Sequence, residues 1–286
     1  MRFVIKHMFK DLETDYCVVS HWPRLFHHLD IPSLTMEEFE SQQFNSPIKI
    51  LKSMPSSEEN IIWRVWSHVL GHTTDYAAVA MINKTIPEQD KTINLKNSLK
   101  GIQEVLTING ALDEDMVLVH PGRGWASKTF PASWWEKVIQ LLVDNGKKVG
   151  VIGKHISDEQ GYVNINIPVG VVDFRDLLSL DGLIATIAMS KVLISNDSAP
   201  IHIAGAFDNC IILIATCKHP DHVIPYRHGN KNYKSFAFAK KLTIDEWDNS
   251  PTLIVKETAD KIKGDILEYL PSPEEVVQQV VVCYQG

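Results

Sequence analysis

Two short stretches concentrate the residues able to do chemistry. The first is Val117-Leu118-Val119-His120-Pro121-Gly122-Arg123-Gly124-Trp125-Ala126-Ser127-Lys128-Thr129-Phe130-Pro131. An apolar strand pattern runs into a polar loop, and a helix pattern follows. Gly122 and Gly124 let the backbone turn sharply and approach a ligand. Arg123 and Lys128 supply positive charge, and Ser127 and Thr129 supply hydroxyls. Such a loop can hold a diphosphate without a metal ion. The second stretch is Asn196-Asp197-Ser198-Ala199-Pro200-Ile201-His202-Ile203-Ala204-Gly205-Ala206, set between the apolar runs Val192–Ser195 and Cys210–Ile214. It reads as strand, tight turn, helix, strand. Asp197 or Ser198 is placed to cap the helix, and Pro200 suits its first turn. Unpaired N–H groups at a helix start favour a phosphate. Both stretches therefore propose one kind of ligand, a nucleotide or a sugar phosphate.

These motifs must sit on a scaffold that brings them together. Residues 116–215 alternate strand and helix. Strands are predicted near 116–121, 148–153, 192–196 and 210–215, and helices near 132–145, 181–190 and 199–207. Val163–Ile167 and Val171–Phe174 read as short buried strands. This is a doubly wound α/β pattern, whose ligands bind at the carboxyl ends of the strands. Before it, Tyr16–Ser20 and Pro47–Leu51 read as strands, Ile61 to about Met81 as a helix, and Asp90–Leu106 as a loop followed by a helix. After it come a strand around 233–239, a helix around Glu257–Leu270 and a last helix from Ser272. That last helix has Ser272 as cap, Pro273 next and Glu275 three residues on, a capping-box signature.

The paired motifs resemble glycosyltransferase family 9, the ADP-heptose:lipopolysaccharide heptosyltransferase-like enzymes. That family shows a Pro-Gly loop with a Lys-x-x-Pro ending, here Pro121-Gly122 and Lys128–Pro131. It also shows Asp-Ser/Thr-Gly-x-x-His-x-x-Ala-Ala, here Asp197–Ala206, with Ala199 in place of the usual Gly and Gly205 in place of Ala. The resemblance covers residues 116 to about 225. It implies a GT-B-like α/β fold with two Rossmann-like domains and the nucleotide-sugar site on the C-terminal one. The expected division is a reduced acceptor-side domain over 1–110, a nucleotide-sugar-binding domain over 111–265, and a helix over 266–286 packing back toward the N-terminal domain. Its apolar residues Val276, Val277, Val280 and Val281 suit that job.

The resemblance implies transfer of a sugar from a nucleotide-diphosphate donor, ADP-heptose-like, to a hydroxyl acceptor such as a saccharide. Donor binding falls to Arg123, Gly124, Ser127, Lys128, Asp197, Ser198 and His202, with Lys154, Glu159 and Arg227 as further donor-side candidates. No cofactor or metal is expected, because no Asp-x-Asp pair sits at a strand end; Asp113-Glu114-Asp115 precedes its strand. The family's Gly-Asp turn near the N-terminus, which carries the base for the acceptor hydroxyl, is absent here. Asp11, Asp15, His21, His72 and Asp75 are the replacement candidates; none has a supporting motif, and the reading of each as an ordinary surface or helix residue is the favoured one. Two alternatives stay open. One is a family 9-like protein that binds nucleotide sugar without turnover. The other is a phage-type enzyme acting on a modified nucleobase.

Composition bounds these readings. At 286 residues the chain has room for two domains. A net charge of −7 argues against a broad nucleic-acid footprint while leaving a local basic groove open. No apolar run reaches the roughly 20 residues of a membrane span, and the N-terminal apolar stretch is too short for a secretory signal. Cys17, Cys210, Cys217 and Cys283 show no Cys-x-x-Cys pairing and read as reduced thiols. A cytoplasmic enzyme, possible at the inner face of a membrane, is the expectation. The pair His68 and His72 has metal-ligand spacing but no third ligand, so it reads as ordinary helix residues.

Overall fold

Alternation of β-branched apolar residues with short polar turns builds a six-stranded sheet in the chain's second half. The computed structural model describes residues 18–19, 33–41, 72, 74, 75, 78, 84–110, 113–122, 128–155, 165–216, 219–240 and 266–285. Near the N-terminus, β1 (Val18–Val19) and β2 (Ser33–Leu34) pair in parallel, and α1 (Met36–Ser41) follows. A reciprocal capping box opens α1: Glu38 N–H donates to Thr35 Oγ1 at 3.0 Å, and Thr35 N–H donates to Glu38 Oε2 at 2.7 Å. The expected strand Pro47–Leu51 and most of the expected helix Ile61–Met81 lie outside the described residues.

The helix α2 (Leu99–Asn109) starts where Ser98 Oγ accepts from Gly101 N–H and stops at Gly110, whose φ of 72° is left-handed. Then come β3 (Val117–His120), α3 (Ala132–Asp144), β4 (Val149–Val151), β5 (Val172–Asp173), α4 (Leu180–Met189), β6 (Val192–Asn196), α5 (Ala199–Ala204), β7 (Cys210–Ile214), α6 (Pro220–Val223), β8 (Ser235–Phe238) and α7 (Pro273–Gln285). All six strands from β3 onward run parallel, in the order β5-β4-β3-β6-β7-β8. The chain starts in the middle, winds out one way, and returns to wind out the other. The direction reverses between β3 and β6. Loops leaving the carboxyl ends of those two strands diverge and open a crevice between them. Residues 165–170 are not in a strand, in contrast to the reading of Val163–Ile167.

Period-two alternation divides the core between the two faces. Val117, Val119, Val151, Val192, Ile194, Ile212 and Ile214 face α3 and α7. Leu118, Ile152, Leu193, Ile211 and Leu213 face the other side, where α2, α4 and α5 pack. The axes of α2 and α4 come close because Gly101 has no side chain; a Cβ there would lie 2.3 Å from Asp181 O. Leu95 and Val105 belong to the same buried cluster as this face of the sheet.

The final helix packs on the sheet domain. Its capping box forms, with Glu275 N–H on Ser272 Oγ at 3.2 Å and Ser272 N–H on Glu275 Oε2 at 2.6 Å. Its apolar face, Val276, Val277, Val280 and Cys283, is buried with α3 and β7 in the sheet domain's own core. Trp134 Nε1–H donates to Pro271 O at 2.9 Å and fixes the approach. Burying such a face contributes roughly 1.5–3 kcal/mol per large side chain, enough to set where a helix docks. Cys283 is disulfide-bonded to Cys210 at the start of β7. These two cysteines are thus not the reduced thiols expected. They are 73 residues apart in sequence, and only the docking of α7 on β7 makes them neighbours. No helix among the described residues is long and apolar enough to cross a membrane.

Candidate functional site

The crevice is built where β3 and β6 end side by side, His120 opposite Ser195 in the register. Asn196, the last residue of β6, is 1% exposed. Its side-chain amide donates to Gly122 O at 2.6 Å and to Lys128 O at 2.7 Å, so one buried group holds both of these backbone carbonyls. Gly122 is seated tightly: an added Cβ would lie 2.0 Å from His120 Cε1 and 3.0 Å from Asn196 Oδ1.

Lys128 extends from the first loop to the second. Its ammonium donates to Asp197 Oδ2 at 2.5 Å and to Asp197 O at 2.9 Å. Both side chains are nearly buried, at 10% and 9% exposure. The other carboxylate oxygen lies 3.7 Å from His202 Nε2 on α5. Asp197 is therefore not the helix cap read from the sequence. Ser198 is the N-cap residue, and its side chain makes no capping hydrogen bond. The Asp197 carboxylate turns instead to the cation of the facing loop. The helix itself spans six residues, so its dipole supplies little of the positive charge expected there. The charge comes from Lys128.

Behind this pair lies a neutral polar cluster. His120 Nδ1 is 3.0 Å from Ser195 Oγ and 3.1 Å from Ser198 Oγ, and the two hydroxyls are 3.0 Å apart. Burial pushes the His120 imidazole down to about 4, so it is neutral at pH 7 and can hydrogen-bond without adding charge. The arrangement gathers a buried lysine paired to Asp197, a partly exposed histidine and a set of hydroxyls at the ends of two neighbouring strands.

The remaining candidates divide. Arg123, Gly124, Ser127 and Glu159, with Asp11, Asp15 and His21, lie outside the described residues. Lys154 is exposed in the turn after β4. Its neighbour His155 donates its N–H to Asp176 Oδ2 at 2.7 Å, and Asp173 pairs with Arg175 at 2.8 Å. Arg227 is placed elsewhere. Its guanidinium donates to Phe207 O, Asn209 O, Tyr233 O, Lys234 O and Ser235 Oγ. Four of these acceptors immediately precede β7 or β8, at the amino edge of the sheet, opposite the crevice. Burial pushes this guanidinium down to about 10, still charged at neutral pH.

The two described base candidates are held in a second polar cluster. His72 Nε2 lies 3.0 Å from Ile224 O, and Thr74 N–H donates to His72 Nδ1 at 3.2 Å. Burial pushes His72 down to about 4. Asp75 is ion-paired to Lys91 at 2.6 Å, both nearly buried. Lys91 also sits 4.8 Å over the Tyr226 ring, whose hydroxyl donates to Glu88 Oε1 at 3.0 Å. Among the described residues, no three His, Cys, Asp or Glu side chains gather as a metal site.

His120 and Asn196 fall inside the two stretches read from the sequence but carry no role of their own there, and Ser195 is read only as the end of an apolar run. A signal existed. Ser195 and Asn196 are polar residues that continue an apolar strand. Each is at most 1% exposed, a setting in which a side chain needs a partner.

A parallel α/β sheet with a buried lysine–carboxylate pair between the loops that follow β3 and β6 is the doubly wound, Rossmann-like class of fold. The comparisons specify it. The model of glycosyltransferase family 9 (heptosyltransferase) matches residues 49–248, and the chain belongs to that family. No curated protein sequence matches it. Among solved structures, a family 9 glycosyl transferase from Veillonella parvula aligns at a TM-score of 0.53 and 14% identity, covering 89% of this chain and 67% of its own. The iron-containing dodecameric glycosyltransferase TibC of enterotoxigenic E. coli aligns at 0.48 and 16% identity, over 74% of this chain and 54% of its own. The E. coli ADP-heptose LPS heptosyltransferase II aligns at 0.44 and 16% identity, over 67% and 53%. The chain thus spans about two thirds of the Veillonella protein and about half of the two from E. coli. The fold is α/β of the GT-B kind, as the first likeness and the family agree.

Proposed function

We propose that this chain is a glycosyltransferase that moves a sugar, heptose by family, from a nucleotide-diphosphate donor to a hydroxyl of a saccharide acceptor. The observation that carries the reading is the Lys128 ammonium, held between the two switch-point loops by Asp197. In the reaction the acceptor oxygen bonds to the anomeric carbon and the bond from that carbon to the diphosphate breaks. The hydroxyl proton passes to a base, and the nucleoside diphosphate leaves with an added negative charge. A cation already positioned where that charge develops lowers the barrier without reorganisation. Lys128, with His202 and Ser198 beside it and Arg123 and Ser127 on the same loop in sequence, is the donor-side set. Asp197 orients the lysine and can meet the sugar or ribose hydroxyls. No metal takes part in this proposal, and the enzyme acts in the cytoplasm, at the inner face of a membrane.

A second reading, nucleotide-sugar binding without turnover, is favoured by one observation: His72 and Asp75 are held by Ile224 O and Lys91, which leaves neither placed as a free base. Release of free nucleoside diphosphate from a panel of sugar nucleotides, with a saccharide acceptor present, separates the two. For the donor site itself, Lys128→Ala is expected to weaken ADP by about 1.5–3 kcal/mol, the range of a hydrogen bond to a charged group. Unchanged affinity by calorimetry overturns the assignment.

A further inference from the structure

We infer that Asn196 is a positioning residue of the donor site, acting on the diphosphate through Lys128. The inference rests on the donor-site reading above and adds a residue to it. Lys128 has a flexible four-carbon stem, so its ammonium is only as well placed as its backbone. That backbone is held from β6: Asn196 Nδ2 donates to Lys128 O at 2.7 Å and to Gly122 O at 2.6 Å. The residue that follows β6, Asp197, then receives the lysine's ammonium. Adjacent residues of one strand end thus fix the two ends of the same lysine, Asn196 the main chain and Asp197 the side chain.

Several features make this a built arrangement. Asn196 is 1% exposed and sits at the end of a strand whose other buried residues are mostly apolar. Both of its amide hydrogens are used, each on a different backbone carbonyl. Among the described residues its Oδ1 finds no hydrogen-bond donor. The carbonyls it holds are separated by six positions in sequence, so the same contact fixes the distance between the two ends of the first loop. A carboxylate here would set a negative charge against both carbonyls, and a methyl group would release them.

The test is a double-mutant cycle on ADP affinity, read by calorimetry well below the melting temperature of every variant. Lys128→Ala and Asn196→Ala are each expected to weaken ADP at least tenfold. In the Lys128→Ala background, Asn196→Ala is expected to change affinity by less than about twofold, because the group it positions is gone. Asn196→Thr, which keeps one hydrogen-bond donor, is expected to recover part of the affinity. Loss from Asn196→Ala that is equal in both backgrounds, or no loss in either, overturns the inference and leaves the donor site standing. Failure of the parent chain to bind ADP overturns the donor-site reading and this inference with it. If Ala and Thr variants both fail to fold, Asn196 serves folding alone and the inference is wrong.

Discussion

Replacing Asp197 by Asn tests whether the crevice is organised by an ion pair or by a helix cap. Asn caps a helix about as well as Asp, so a pure cap would leave stability unchanged. The structure gives a different expectation. The carboxylate lies 2.5 Å from an ammonium, with both side chains about nine-tenths buried. Removing one partner of a buried pair costs about 3–5 kcal/mol, because the other charge stays buried without compensation. Asn retains a carbonyl for Lys128, and Lys128 retains the hydrogen bond to the backbone O of residue 197. The loss should therefore be smaller, about 2 kcal/mol, the scale of a charge-assisted hydrogen bond. At roughly 2–4 °C per kcal/mol for a chain of this size class, the melting temperature should fall by ~4–8 °C. Asp197→Ala, which removes both acceptors, should fall further. Adding Lys128→Met to Asp197→Asn removes the stranded charge, so the double variant should be more stable than the sum of the two losses predicts. A coupling of at least ~1.5 kcal/mol is expected from thermal and denaturant unfolding of the four chains. A melting temperature unmoved by Asp197→Asn, with losses that simply add, refutes the ion-pair account.

Three further outcomes follow from the same structure. Burial pushes His72 down to about 4 from an ordinary value of 6.5, so the folded state binds its proton more weakly than the unfolded chain. Stability should be full above pH ~6.5 and fall as pH drops toward 4, by on the order of 3 kcal/mol from this residue. His72→Gln should flatten part of that slope in melting scans across the window, and an unaltered slope would refute it. Arg227→Met leaves several carbonyls at the amino edge of the sheet unpaired and should cost ~3 kcal/mol or more. Its ADP affinity, measured on folded protein, should match the parent's; a large loss would return Arg227 to the donor site. Turnover or ADP binding should survive exhaustive chelation, and collapse restored by magnesium, manganese or iron would show that a metal takes part.

Much of the fold was legible because local patterns agree with the tertiary answer. Strands β3, β4, β6 and β7 match the apolar runs to within two residues at each end, and α3 matches its helix pattern. The capping box at Ser272 acts within a few residues of chain, so sequence carries it whole. The two site loops were also visible, since a polar cluster at the end of a buried strand is a local signal. By contrast, Arg227 was read as a donor contact because it follows a strand end, yet it folds back to carbonyls at the opposite edge of the sheet. Sequence gives a charge its place along the chain but not the direction of its side chain.

What the sequence determined by itself was the α/β alternation, the family, and which two loops belong to the crevice. All three depend on residue types over short windows. The tertiary structure alone decided the partners. It set Lys128 against Asp197 across 69 residues, turned Asp197 away from capping, and bonded Cys210 to Cys283. It also made Asn196, one residue among several in the second stretch, the group that holds the first loop to the second strand end. The reason is physical. Burial and hydrogen-bond pairing depend on which strands become neighbours. The placing of β6 beside β3, with β4 and β5 on the other side, is a choice made by the whole sheet and not by any one segment of it.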